Sequence, residues 1–76
     1  MANDKMFNIL KNIAILSDKD DITKEFNLVQ YKDLKNPILD IRKWDNTSKD
    51  KKMLKGITLT EDEAKKLKDA LNKYYV

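Results

Sequence analysis

Arg42 and Trp44 stand two residues apart in Asp40-Ile41-Arg42-Lys43-Trp44, so in an extended chain a guanidinium and an indole share one face. An exposed ring beside a cation suits single-stranded nucleic acid. The ring stacks on a base for about 1–3 kcal/mol, while the cation meets phosphate in a salt-sensitive contact. Tyr31 closes the outward row of the preceding apolar run, and Lys51, Lys52 and Lys55 follow in a lysine-rich stretch. These residues are the candidate site: Arg42, Lys51, Lys52 and Lys55 for phosphates, Trp44 and Tyr31 for bases. Lys24 and Lys11 are secondary candidates, because strand parity turns them towards the helix side unless they lie at an edge. The same pattern also admits a structural account. Trp44 would bury a dimer interface, and Arg42 would pair with Asp40 or Glu25.

Other chemistry is poorly supplied. The 76 residues include no cysteine, no histidine and a single glycine. This excludes a thiolate nucleophile, a disulfide framework, cysteine–histidine zinc ligation, imidazole acid–base catalysis and a glycine-rich phosphate loop. Ser17 and Ser48 have no histidine to activate them. Asp20 and Asp21, or the acids from Glu61 to Glu63, make at best a weak cation site, and the latter are better read as a helix start. No enzyme, metal, cofactor or small-molecule substrate is expected.

Charge is placed unevenly. Residues 1–38 carry six lysines against six acids, whereas residues 39–76 carry ten basic groups against seven acids. The excess concentrates between Ile41 and Lys55, where six basic groups meet only Asp45 and Asp50. Such a patch is a footprint for a polyanion, or a lysine-rich solvated loop. The apolar stretch Met6 to Leu16 is interrupted by Asn8, Lys11 and Asn12. It fits neither a signal-peptide core nor a membrane span, so the expectation is a cytoplasmic protein with no membrane partner.

Four strands and a helix must position the candidates. Residues 6–17 alternate, with Phe7, Ile9, Ile13 and Ile15 on one side and Asn8, Leu10, Asn12, Ala14 and Leu16 on the other. Residues 22–31 place Ile22, Lys24, Phe26, Leu28 and Gln30 opposite Thr23, Glu25, Asn27, Val29 and Tyr31. Residues 38–44 set Leu39 and Ile41 inward and Asp40, Arg42 and Trp44 outward. A mobile loop should lead to a short strand over 53–59, with Gly56 marking a bulge or a close backbone approach. Thr60-Glu61-Asp62-Glu63 is a capping box. It opens a helix over 61–74 whose apolar stripe is Ala64, Leu67, Ala70, Leu71 and Tyr74. The expected fold is α+β: a four-stranded antiparallel meander followed by one C-terminal helix, in a single domain over 1–76. One helix on one sheet leaves apolar surface over, and dimerisation is one way to complete so small a core.

Asp40-Ile41-Arg42-Lys43-Trp44, then Lys55-Gly56-Ile57-Thr58-Leu59-Thr60 and an acid-capped helix, resembles the small bacterial YdbC-type proteins. These are relatives of the C-terminal domain of the eukaryotic transcriptional coactivator positive cofactor four. Thr23-Lys24-Glu25-Phe26-Asn27-Leu28-Val29 and Lys11-Asn12-Ile13-Ala14-Ile15-Leu16-Ser17 extend the resemblance over nearly the whole chain. It implies a curved sheet, a homodimer and binding of single-stranded DNA largely without sequence preference, in transcription, replication or repair. It also implies roles for Arg42, Trp44 and Lys55 and, where the bacterial branch often has tryptophan, for Tyr31. Ile22 stands where an aromatic is common, and the loop from Asp45 to Leu54 departs from the family's pattern. The alternative is a non-catalytic protein-interaction module, or an RNA binder, on the same fold.

Overall fold

The computed structural model describes residues 6–76. Strands β1 (Phe7–Lys19), β2 (Ile22–Tyr31), β3 (Ile38–Asp45) and β4 (Lys52–Leu59) form one antiparallel sheet in the order β1-β2-β3-β4, followed by helix α1 (Glu61–Tyr74). This is the expected α+β meander. The β1–β2 turn is a two-residue loop in which Asp20 and Asp21 both take positive φ, 54° and 65°. Two left-handed residues give the turn the twist that a hairpin requires, and aspartate tolerates that region because its side chain bonds locally.

The capping box forms as read. The amide of Glu63 donates to Thr60 Oγ1 at 3.1 Å, and the amide of Thr60 donates to Glu63 Oε1 at 2.9 Å. Glu61, Asp62 and Glu63 at the start and Lys73 at the end complement the helix dipole. Part of the expected stripe faces the sheet: Ala64, Leu67 and Leu71 line a shallow cavity with Phe26 and Leu59, whereas Tyr74 is 79% exposed with its ring edge-on to Tyr75.

Strict alternation fails in β1. Its pairing with β2 slips between Ile9 and Lys11, between Asn12 and Ala14, and between Ile15 and Ser17. Each slip inserts one residue, Leu10, Ile13 and Leu16 in turn. The residues paired on the Val29 side are therefore Phe7, Ile9, Asn12, Ile15 and Asp18, not an unbroken odd-numbered row. Bulges bend and twist the strand that carries them. Their effect is measurable here. Phe7 is registered against Tyr31 and Trp44 against Thr23, eight residues apart along β2. At about 3.3 Å per residue a flat sheet would separate the two rings by roughly 26 Å. Their centroids are 5.2 Å apart. The sheet is curled around the face that carries Trp44.

That curl inverts the expected inside and outside. The face of Thr23, Glu25, Asn27, Val29, Asp40 and Trp44 is the buried one, and Val29 and Trp44 are its apolar centre. The apolar face under α1 is more open. Phe26, Leu28, Leu39 and Ile41 are only half-buried, Ile57 is 58% exposed, and no residue of α1 is buried.

Candidate nucleic-acid interface

The inner face is built by β2 and β3, whose antiparallel register sets Thr23 against Trp44, Glu25 against Arg42 and Asn27 against Asp40. Two carboxylates buried there need partners, since an unpaired buried charge is expensive. Asp40 has two. Arg42 Nε donates to Asp40 Oδ1 at 2.8 Å and to Oδ2 at 2.9 Å, Arg42 Nη2 donates to Oδ2 at 2.7 Å, and the Tyr31 hydroxyl donates to Oδ2 at 2.7 Å. Arg42 Nη1 donates to the Leu54 carbonyl at 2.9 Å across β4. The Asp40 hydrogen bonds, opposed by burial, raise the Arg42 pKa above its usual value. Burial, reinforced by the bond to Asp40, pushes the Tyr31 phenol up to about 12.

Glu25 is held by a second set. Lys51 Nζ donates to Oε2 at 2.7 Å, Thr23 Oγ1 donates to Oε2 at 2.6 Å, and Asn27 Nδ2 donates to Oε1 at 3.1 Å. Burial pushes this carboxyl up, but the bonds from Lys51, Thr23 and Asn27 together outweigh it and hold it below its usual value. Asn12 Nδ2 extends the chain to Asn27 Oδ1 at 2.7 Å. Asn46 ties the β3–β4 connection to the first hairpin, donating from its amide to the Asp21 carbonyl at 2.9 Å and from Nδ2 to Thr23 Oγ1 at 3.0 Å. Asp45 Oδ1 accepts from the amide and hydroxyl of Thr47 at 2.9 and 2.6 Å. The connection expected to be mobile is thus anchored at its start and, through Lys51, at its end.

Trp44 does not stand in solvent as expected. It is 0% exposed, with the Phe7 ring tilted 52° against it and Lys51 Nζ 5.5 Å from its centroid. Its Nε1 is buried and has no hydrogen-bond partner among the described residues. The curl explains the discrepancy, because β1 brings Phe7 over a position that parity alone marks as outward.

The structure brings together four of the eight candidates and separates the rest. Tyr31, Arg42, Trp44 and Lys51 share the inner face. Lys11 is registered with Leu28, Lys24 with Lys43 and Lys52 with Asp45, all on the helix face. Lys55 lies in the bulge opposite Lys43, and with Lys24, Lys43, Ile41 and Ile57 it lines a cavity of about 440 Å³. Gly56 is the close-approach position: a Cβ there would lie 1.9 Å from Arg42 Cβ and 2.5 Å from the Ile41 carbonyl oxygen. Sequence reasoning missed Phe7 as a member of the site and weighed Glu25 only as a partner for Arg42, whereas its ion pair is with Lys51. An acid within the regular alternation of β2, on the row read as outward and needing a cation once covered, was the one signal that could have linked Glu25 to the lysine-rich loop.

No group of three or more metal-ligating side chains occurs among the described residues, and none of their helices is long and apolar enough to cross a membrane. Comparison with curated proteins finds no match. Residues 19–70 match the family described as Transcriptional Coactivator p15 (PC4), which covers well over half of the chain. The chain belongs to that family.

Proposed function

We propose that this member of the p15 (PC4) family is a non-catalytic, homodimeric protein that binds single-stranded DNA largely without sequence preference. On this reading it is of the bacterial YdbC type and acts in transcription, replication or repair in the cytoplasm, at the nucleoid. The observation that carries the proposal is the juxtaposition, in a chain of this family, of Phe7, Tyr31, Arg42 and Lys51 on one curled sheet face.

The cations there are braced, not consumed. Arg42 has five N–H groups, and Nε, Nη1 and Nη2 each use one, leaving two for phosphate oxygens. Each cation of the inner face is set against an acid, Arg42 against Asp40 and Lys51 against Glu25. Long-range attraction for a polyanion therefore comes from lysines off that face, Lys43, Lys49, Lys52 and Lys55.

A second copy supplies what the helix face lacks. A cavity of about 660 Å³ there is lined by Leu28, Leu34, Pro37, Ile38, Leu39 and Leu59, among others. Leu67 and Leu71 keep 39% and 47% of their surface exposed beside it. Contiguous apolar surface of this kind marks an association site.

Anisotropy titration with oligo-dT, duplex and oligo-rU at several salt concentrations tests the proposal. Single strands should bind more tightly than duplex, with affinity falling as salt rises. A clear preference for oligo-rU would replace DNA with RNA as the ligand. A flat titration for every nucleic acid would favour a protein-interaction module.

A further inference from the structure

We propose that a nucleobase is received against the ring of Phe7, with Trp44 as the buried backing of that platform and Lys51 as its phosphate partner. This assignment rests on the nucleic-acid reading above. Trp44 has no area to offer, since it is 0% exposed between the Phe7 ring and the Lys51 ammonium. Phe7 keeps part of its surface open and, with Asn8, Ile9 and Lys51, lines a cavity of about 230 Å³. That volume is several times the roughly 30 Å³ share of a liquid water molecule, and it is bounded by an aromatic ring and a cation, the two groups that single-strand recognition combines.

Three further features fit the assignment. Phe7 is registered directly against Tyr31, so two rings are cross-strand neighbours along the route a bound strand would take. The tilted contact with Trp44 fixes the Phe7 ring, and a ring already held loses little freedom when a base stacks on it. Lys51 Nζ carries three protons, of which Glu25 Oε2 and Asn46 Oδ1 take two at 2.7 and 3.1 Å. One N–H remains for a phosphate oxygen without breaking either bond.

The test compares wild type, Phe7→Leu and Phe7→Tyr by oligo-dT anisotropy, with circular dichroism to check folding. Phe7→Leu keeps the apolar contact with Trp44 but removes the ring, and should weaken binding roughly five- to a hundredfold. Phe7→Tyr should bind like wild type. A second readout does not depend on variants: photocrosslinking to an iodouracil-substituted oligonucleotide should mark the tryptic peptide Met6–Lys11. Wild-type affinity or tighter binding in folded Phe7→Leu, or a crosslink to Trp44 in place of Phe7, would overturn the assignment while leaving nucleic-acid binding intact. Failure of the wild-type protein to bind oligo-dT at all would remove both.

Discussion

Asp40 and Arg42 stand two residues apart on the inner face of β3 and are joined by three hydrogen bonds of 2.7 to 2.9 Å, with Asp40 fully buried and the Arg42 side chain 13% exposed. Removing one member of such a pair strands the other. Arg42→Ala should therefore destabilise the fold by about 3 kcal/mol, because it leaves the buried Asp40 carboxyl with only the Tyr31 hydroxyl as partner. The double variant Arg42→Ala, Asp40→Asn should recover much of that loss. Urea denaturation of the singles and the double measures the coupling, and simple additivity would show that the pair does not brace the inner face. Any loss of DNA binding in Arg42→Ala must be read against this stability effect.

The two inner carboxylate clusters give opposite pH signatures. The Tyr31 phenol titrates near 12 in the folded state, above its ordinary value of 10. Its contribution is complete below pH 10 and fades between about 10 and 12, where the unfolded chain ionises first. Tyr31→Phe should abolish the ultraviolet absorbance step near pH 12. Glu25 behaves the other way: its folded pKa lies below 4.5, so its contribution is complete above that value and is lost as pH falls through the folded pKa. Glu25→Gln should flatten the acid limb of a stability–pH curve. An unchanged limb would place the acid sensitivity elsewhere.

Gly56 shows where backbone approach, and not side-chain chemistry, governs the sheet. With a Cβ placed 1.9 Å from Arg42 Cβ, Gly56→Ala forces β3 and β4 apart beside the bulge that carries Lys55. A loss of about 3 kcal/mol is expected, read as a lowered thermal midpoint. A variant as stable as wild type would mean that β4 shifts freely.

These positions separate what the sequence discloses from what only the folded chain shows. The faces of β2 and β3 follow from period-two alternation, and α1 follows from Thr60 and Glu63, because both signals are local. The bulges of β1 are not local in that sense. Leu10, Ile13 and Leu16 have the same chemistry as their paired neighbours, so nothing in their identity marks them as inserted. Hence the parity of β1 reads wrongly at Lys11 and Asn12, is restored at Ala14 and Ile15 by the second bulge, and fails again from Ser17. Trp44 is the consequence. Its side of β3 is legible, but its burial depends on a curl that carries Phe7 from eight residues away along β2. The indole that looked like the stacking platform is buried behind the Phe7 ring.

The open helix face predicts association. Ile57, 58% exposed beside Leu59 and α1, should lie in the contact between two copies, as should Leu67. Ile57→Lys and Leu67→Glu are expected to halve the solution mass measured by light scattering and to lower the midpoint of unfolding. If wild type already runs as a monomer of 9.0 kDa, the second copy is not what completes the core.

An unpaired strand held through phosphates and bases together must be bound in a salt-sensitive way and in preference to duplex. The salt dependence of oligo-dT affinity tests this most directly, with duplex of equal length as the comparison. The expected result is a log–log slope that steepens by about 0.7 for each phosphate engaged, with weaker binding to duplex throughout. Affinity that ignores salt, or equals that for duplex, would contradict the account.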